Sequence, residues 1–282
     1  MAAMPPSTDD LTVGMVTKDD APEILAEALQ AAIGQGLSAP ALVVDMSQGA
    51  GVRDVCVALG DQVRHVAYPQ SRGVSDSRNE VLRQANTRYV LFLDADAVPG
   101  PGWAVAMRAA FDQVPDVAVV GARCVARWAA TPPRLFSTPV AGDYFSLFDL
   151  GRAPLDVPRI VGTSYALDLT RIPSDPFPLE LGFSPGQLLA GEENALCERA
   201  IADGWRVRYE PTALVEHTIK AARSTWPALI RRVFHAGQEG RRAGRRMEPL
   251  PRSFTMRDRL FLAAIAPAFL VGALVGPRSK RG

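Results

Sequence analysis

Two aspartates separated by one residue follow a short apolar run near the first third of the chain. Residues 88–103 read RYVLFLDADAVPGPGW, so Asp94 and Asp96 stand where a strand-length stretch gives way to Pro and Gly. Side chains two residues apart on a strand point the same way, which lets both carboxylates face one point. Their oxygens suit Mg²⁺ or Mn²⁺, and such an ion suits a substrate that carries phosphates. Taken alone, the triplet is explained as well by a turn rich in Asp.

Short apolar runs and helical patterns alternate around the aspartate pair. The patterns predict helices at 23–33 and 75–86 and strands at 11–17, 41–45, 61–68 and 89–93. This alternation indicates a mostly parallel sheet covered on both faces. Ligands of such sheets bind at the carboxyl ends of the strands. One crevice is therefore expected to collect the strand-end residues Thr17, Asp45, Asp94 and Asp96.

Several of these segments, in their order and spacing, resemble family 2 glycosyltransferases of the GT-A fold. ALVVDMSQGAG at 41–51 is similar to the family's first acidic turn, and 73–103 is similar to its most recognisable stretch. Residues 181–217 resemble the block in which a Gly-Phe turn precedes an acidic pair, a helix, a Gly-aromatic turn, a strand and a His. The likeness covers about 11–217 and implies an α/β GT-A fold, with a mostly parallel central sheet flanked by helices.

The resemblance implies a metal-dependent, inverting glycosyltransferase of the hexosyltransferase type. It would move a sugar from a nucleotide diphosphate, UDP in the first instance, to an acceptor hydroxyl. Bound Mn²⁺ or Mg²⁺ would stabilise the departing diphosphate as a Lewis acid. Asp96 takes the position of a direct metal ligand and His217 that of the later ligand, after a strand at 207–209 and a turn at Pro211, while Asp94 lies nearer the ribose or the metal's outer shell. Taken singly, such a His is more often structural than metal-binding.

The resemblance places the general base in the acidic pair Glu192 and Glu193, at the start of a helix predicted at 193–202. An acceptor hydroxyl must lose its proton as it attacks, so a base is needed opposite the leaving group. Glu193 falls on the base position, where the family usually has Asp, and Glu192 is the second candidate. Acids in the first turn of a helix also complement its dipole, which is the non-catalytic alternative. The Glu-Glu departure keeps open a catalytically silent GT-A protein that binds a nucleotide or scaffolds partners.

Nucleotide recognition is expected in the first half of the crevice. Thr17 and Asp45 resemble the residues that hold the base and ribose, and Arg78 resembles the family's Arg that reaches the nucleotide. Asp45 is explained as well by a strand-end turn, and Arg72 fits a solvated loop charge better than a second diphosphate contact. The family's Asn after Thr-x is replaced by Asp19.

A Pro- and Arg-rich stretch follows, at 120–162. In the resembled fold it lies over the acceptor side, where Tyr144, Phe145 and Phe148 would form an apolar wall or else pack the loop onto the core. The small residues at 162–164 resemble a strand near the donor sugar.

Length and composition fit one catalytic domain, at 1–222, followed by a helical tail at 223–282. The chain has 282 residues, 48% of them hydrophobic and 22% charged, which is typical of a globular protein. The tail holds 13 Lys or Arg against 3 Asp or Glu, and residues 260–276 are uncharged. As a helix, that run would be about 25 Å long, slightly short of a ~30 Å hydrocarbon core. It could span a membrane, lie at its interface, or pack on the protein as a buried helix broken at Pro267.

Membrane contact is the favoured interpretation, because the basic and apolar stretches adjoin. An acceptor that is lipid-linked or part of the cell envelope would then follow.

Three cysteines without metal-site spacing indicate buried or free thiols in a reducing compartment, and no signal peptide is expected. The predicted location is cytoplasmic, either peripheral or C-terminally anchored at the inner face of the cell membrane. The arginine pairs also suggest a nucleic-acid-binding module, but few aromatic residues accompany them, so no nucleic acid is expected.

Overall fold

The computed structural model describes residues 10–184, 187–189, 191–243 and 250–276. The strands are β1 Leu11–Thr17, β2 Ala41–Asp45, β3 Val63–Ala67, β4 Tyr89–Leu93, β5 Ala97–Pro99, β6 Val117–Trp128, β7 Leu155–Asp156, β8 Ser164–Asp168, β9 Gly182–Ser184, β10 Gln187–Leu189 and β11 Arg206–Ile219. The helices are α1 Pro22–Ile33, α2 Gly51–Ala58, α3 Val74–Gln84, α4 Trp103–Gln113, α5 Pro139–Gly142, α6 Glu192–Ala202, α7 Trp226–Ala243 and α8 Met256–Val275.

The central sheet has the order β3-β2-β1-β4-β8-β6-β11-β5, with β7 also paired to β11. Strands β3, β2, β1 and β4 run parallel, as the alternation of strands and helices predicts. Strand β8 is antiparallel to both of its neighbours, so the sheet is mixed beyond β4. Every residue of β2 and β4 is buried, because helices cover both faces of the sheet. The α/β architecture with flanking helices is confirmed.

A second apolar cluster joins the tail helices, α7 and α8, to the segment 136–145. Its buried members are Phe136, Val140, Ala141, Phe145, Ile219, Leu229, Val233, Phe261 and Ile265. The cluster takes Ile219 from the end of β11, so the helices pack directly on the sheet strand that carries His217.

Strand β11 differs from the short strand and turn expected before His217. It continues through Pro211, and the shift in its register between Glu210 and Leu214 marks a β-bulge. A bulge accommodates Pro because the unpaired position needs no backbone N–H in the ladder. His217 therefore lies within the strand, between Ala97 of β5 and Ala126 of β6. The predicted turn at Pro211 is wrong.

Helix α8 is continuous through Pro267, so the alternative of a helix broken at this proline does not hold. Pro removes one backbone hydrogen bond, but packing on α7 holds the helix on both sides of it. Ile265 is buried before Pro267, and Gly272 lies so close to the Phe234 carbonyl that a Cβ would overlap it. Large side chains of α8 remain exposed, among them Leu262, Leu270 and Leu274. In the described residues, α8 is the one helix long and apolar enough to cross a membrane.

Candidate active site

The turn between β4 and β5 fixes the two aspartates through their backbones. The Asp94 N–H donates to the Thr163 carbonyl at 2.9 Å, and the Asp96 carbonyl accepts from the Thr218 N–H at 2.9 Å. One bond ties the turn to the segment before β8, and the other ties it to β11. Both carboxylates are left at the strand end, with side chains 37% and 19% exposed for Asp94 and Asp96.

His217 meets the aspartates from the neighbouring strand. Its Nδ1 lies 2.9 Å from the Phe145 carbonyl, which can only accept, so Nδ1 carries a proton. In the neutral ring, Nε2 then offers a lone pair, the form in which imidazole binds a metal. Nε2 lies 3.2 Å from Asp96 Oδ1. One ligand atom from each of Asp94, Asp96 and His217, which we call the metal corner, falls within 4.8 Å of the others. These donors fit a divalent cation such as Mn²⁺.

The two aspartates have different electrostatic environments. Burial raises the pKa of Asp94 to about 6, with Asp96 adding to the effect and Arg78 opposing it. Burial also raises the pKa of Asp96, but the polar contact with His217 and the charges of Arg223 and Lys220 outweigh it, so that pKa is lowered. A cation beside both would favour the ionised form of each. Arg223, which follows β11 directly, is a contributor that sequence reasoning missed.

Arg78 connects the metal corner to the acidic pair. Its Nη1 donates to Glu192 Oε1 at 2.7 Å and to Glu193 Oε1 at 3.0 Å, while Nη2 lies 3.8 Å from Asp94 Oδ1. The guanidinium is buried over Tyr165, 5.6 Å from the ring centroid. Burial lowers the pKa of Arg78, but Tyr165 and these acids outweigh it and hold that pKa well above its usual value. A contact with the nucleotide remains a prediction for this residue.

The acidic pair opens helix α6, after Gly191 in the left-handed conformation at φ 114°. Burial, together with Glu193, raises the pKa of Glu192 to about 8, so this carboxyl holds a proton at neutral pH. Its Oε2 has no hydrogen-bond partner in the described part of the chain. The Glu193 side chain is more accessible, 14% exposed against 3%. It reaches Gly162 so closely that a Cβ there would overlap Oε1, which gives this glycine a definite role.

Thr17 and Asp45 lie opposite each other at the ends of β1 and β2. Asp45 accepts from the Ser47 N–H at 2.8 Å, and its other oxygen lies 3.0 Å from His65 Nε2. Thr17 donates to Asp20 at 3.0 Å. His65 was missed by sequence reasoning; its place on β3, beside β2, is the signal that could have identified it. The role of Thr17 and Asp45 at the base and ribose stays a prediction.

The aromatic residues expected on the acceptor side divide into two groups. Phe145 and Phe148 are buried and belong to the two apolar clusters, which is the packing alternative. Tyr144 is half-buried.

Arg72 is exposed and paired with Asp76, and the three cysteines are buried free thiols, as predicted.

A family model and curated relatives match more than half of this chain. The model of the family described as glycosyl transferase family 2 matches residues 12–156, just over half of the chain. Pre-mycofactocin glycosyltransferase of Mycobacterium tuberculosis, found in two strains, is 28% identical over 235 residues, which cover 82% of this chain and 47% of the relative. The chain thus spans about half the length of these curated relatives.

Solved structures share the fold. Mannosyltransferase PcManGT from Pyrobaculum calidifontis, in complex with GDP-Man and Mn²⁺, matches with a TM-score of 0.60 and 22% identity, over 97% of this chain and 77% of its own. GalNAc-T7 with UDP, GalNAc and Mn²⁺ matches with a TM-score of 0.59 and 13% identity, over 91% of this chain and 54% of its own. At these identities the likeness bears on the fold alone.

Proposed function

The chain belongs to glycosyltransferase family 2, and we propose that it transfers a sugar from a nucleotide diphosphate, UDP in the first instance, to an acceptor hydroxyl with inversion. The observation that carries this proposal is the metal corner, Asp94, Asp96 and His217, joined through Arg78 to the acidic pair. A cation site and a base candidate thus lie on one connected network of polar side chains. Single displacement needs both, one at the leaving group and one at the acceptor.

Asp96 and His217 would hold Mn²⁺ or Mg²⁺, with Asp94 as a further ligand or an outer contact to the ribose. The cation would supply Lewis-acid stabilisation of the diphosphate. The Phe145 carbonyl supports this assignment, because it fixes the ring so that Nε2 faces Asp96. The solved neighbours were crystallised with Mn²⁺, and one of them with GDP-Man, which is consistent with a nucleotide-sugar donor.

Glu193 would accept the proton of the acceptor hydroxyl, since it is the more exposed carboxylate of the pair. Arg78 orients it through a 3.0 Å hydrogen bond, and Gly162 leaves room for its side chain. Glu192, held in its neutral form, limits the negative charge around Arg78. Thr17 and Asp45 would contact the base and ribose from the adjoining strand ends.

Removal of one metal ligand tests the proposal. Asp96→Ala should abolish transfer and the Mn²⁺-dependent binding of UDP, while the variant remains folded. In wild type, UDP at 100 times its dissociation constant should stabilise the fold by about 2.7 kcal/mol when Mn²⁺ is present. Thermal shifts with UDP and GDP, with and without Mn²⁺, measure this. The exposed Asp61 provides the control, because Asp61→Ala leaves the metal corner intact. Unchanged Mn²⁺-dependent binding in Asp96→Ala would contradict the metal role.

We also propose that α8 contacts the cytoplasmic face of a membrane, through exposed side chains such as Leu270 and Leu274. Arginines of the tail would then meet anionic headgroups. In fractionated cells, the full chain should sediment with membranes, and a variant with Glu at both leucines should move to the supernatant. Val57, exposed on α2, provides the control as Val57→Glu. A wild-type chain found in the supernatant would refute the membrane contact.

A further inference from the structure

A cavity borders Phe145, the residue whose carbonyl holds the ring of His217. Its volume is about 190 Å³, and its lining includes Tyr144, Phe145, Arg223, Arg231, Arg232 and His235. The carbonyl of Phe145 accepts the hydrogen bond from His217 Nδ1, so one residue borders both the cavity and the metal corner. The cavity therefore adjoins the place where chemistry is proposed.

The lining of this cavity is cationic. Three of its residues are arginines, and the nearby carboxylate of Asp143 already pairs with Arg252 and Arg159. Arg223 is half-buried and makes no ion pair with any described residue, although Asp96 and Asp94 attract it at longer range. Guanidinium groups around a small, partly open cavity suit a phosphate or another compact anion.

An apolar groove runs between the tail helices beside the cavity. Pro227, Ile230 and Phe234 of α7 line one side, and Ala264, Pro267 and Val271 of α8 line the other. The groove is shallow and open to solvent, and most of its lining residues are exposed. Arg231 lines both spaces, so the apolar groove adjoins the cationic cavity.

We propose that the two spaces form one site for an anionic amphiphile. The anionic head lies among Arg223, Arg231 and His235, and the hydrocarbon chain lies between α7 and α8. The adjacent cationic and apolar linings fit the two parts of such a molecule.

Calorimetry on the full chain with three probes tests the site. Decyl phosphate should bind at least tenfold more tightly than decanol and than inorganic phosphate. Arg231→Gln should weaken decyl phosphate at least fivefold and leave decanol unchanged, whereas Arg259→Gln, exposed on α8 outside the site, should have no effect. Ala264→Trp should fill the groove and abolish binding of decyl phosphate. Ala263→Trp, equally exposed one residue earlier, is its matched control. Equal binding of decyl phosphate and decanol, or an unaffected Ala264→Trp, would overturn the proposal.

Mn²⁺-dependent UDP binding separates this inference from the proposed function. UDP should bind to Arg231→Gln and Ala264→Trp as it does to wild type. Loss of UDP binding in both variants would assign the cavity to the donor and overturn the amphiphile site. Normal UDP binding without any preference for decyl phosphate would likewise overturn it while leaving the proposed function intact. Wild type that binds decyl phosphate but not UDP would count against the proposed function alone.

Discussion

The metal corner with its acidic pair and the tail helices handle charge in opposite ways. Around the metal corner, acidic and basic side chains lie at short range: Asp96 lies beside His217, and Arg78 contacts Glu192, Glu193 and Asp94. On the tail helices, Arg231 and large apolar side chains such as Leu270 face the solvent. The charges around the metal corner are balanced within the protein, whereas the tail helices expose their charges and apolar side chains to the solvent.

The side chains of the metal corner and the acidic pair are held in place by their contacts, whereas the tail helices have surfaces that can receive a partner. Buried charges persist only when paired, and the pairing holds each side chain in one orientation. Such orientation is what proton transfer and phosphate stabilisation require. The tail helices instead pack on each other through close backbone contacts at Gly237 and Gly272. Their outer faces are therefore available to a partner.

The largest effect is expected in the acidic pair. Glu193→Gln keeps the hydrogen bond to Arg78 but cannot accept a proton, so transfer should fall about 10³-fold with donor binding retained. Rates of transfer and Mn²⁺-dependent UDP binding measure the two properties separately. Glu192→Gln is the matched variant and should retain transfer. If only Glu192→Gln were inactive, the base would be Glu192, and a fully active pair of variants would place the base elsewhere.

A smaller effect is expected in the pH dependence of stability. The folded pKa of Glu192 is about 8, above its unfolded value, so its carboxyl gains protons on folding. The free energy of unfolding should therefore be highest below the unfolded pKa and fall as the pH rises toward 8. Between pH 5 and pH 7.5, wild type should lose about 3 kcal/mol more than Glu192→Gln, whose amide mimics the protonated acid. Urea unfolding at both pH values measures the difference. Parallel pH curves for the two proteins would refute a proton on Glu192.

The smallest effect tests the glycine contact of the tail helices. Gly272→Ala puts a Cβ against the Phe234 carbonyl, so α8 must shift from α7 at a cost of about 1–2 kcal/mol. Denaturant unfolding measures this cost, and UDP binding should stay unchanged. Gly240 is the matched control, since a Cβ there meets nothing within 4 Å. A loss of UDP binding in Gly272→Ala would show that the two regions are coupled.

Local patterns predicted much of this protein. The apolar runs at 41–45 and 89–93 form buried strands, and the helical pattern at 23–33 forms α1. Asp94 and Asp96 lie at a strand end beside His217, as the sequence led us to expect. These features depend on residues adjacent in the chain, whose periodicity records which face is buried. The prediction of a turn at Pro211 is wrong, because Pro211 lies in a β-bulge within β11. This bulge becomes apparent only from the pairing of β11 with β6.

The early strands and helices, the acidic strand end and the likeness to the family could be inferred from the chain alone, because each depends on short stretches of neighbouring residues. The partners of the key side chains became visible in the folded protein. The hydrogen bond from His217 to Phe145 joins residues 72 positions apart, and that from Arg78 to Glu192 joins residues 114 apart. No local pattern encodes such pairs, since they follow from the order of strands and the packing of helices in space.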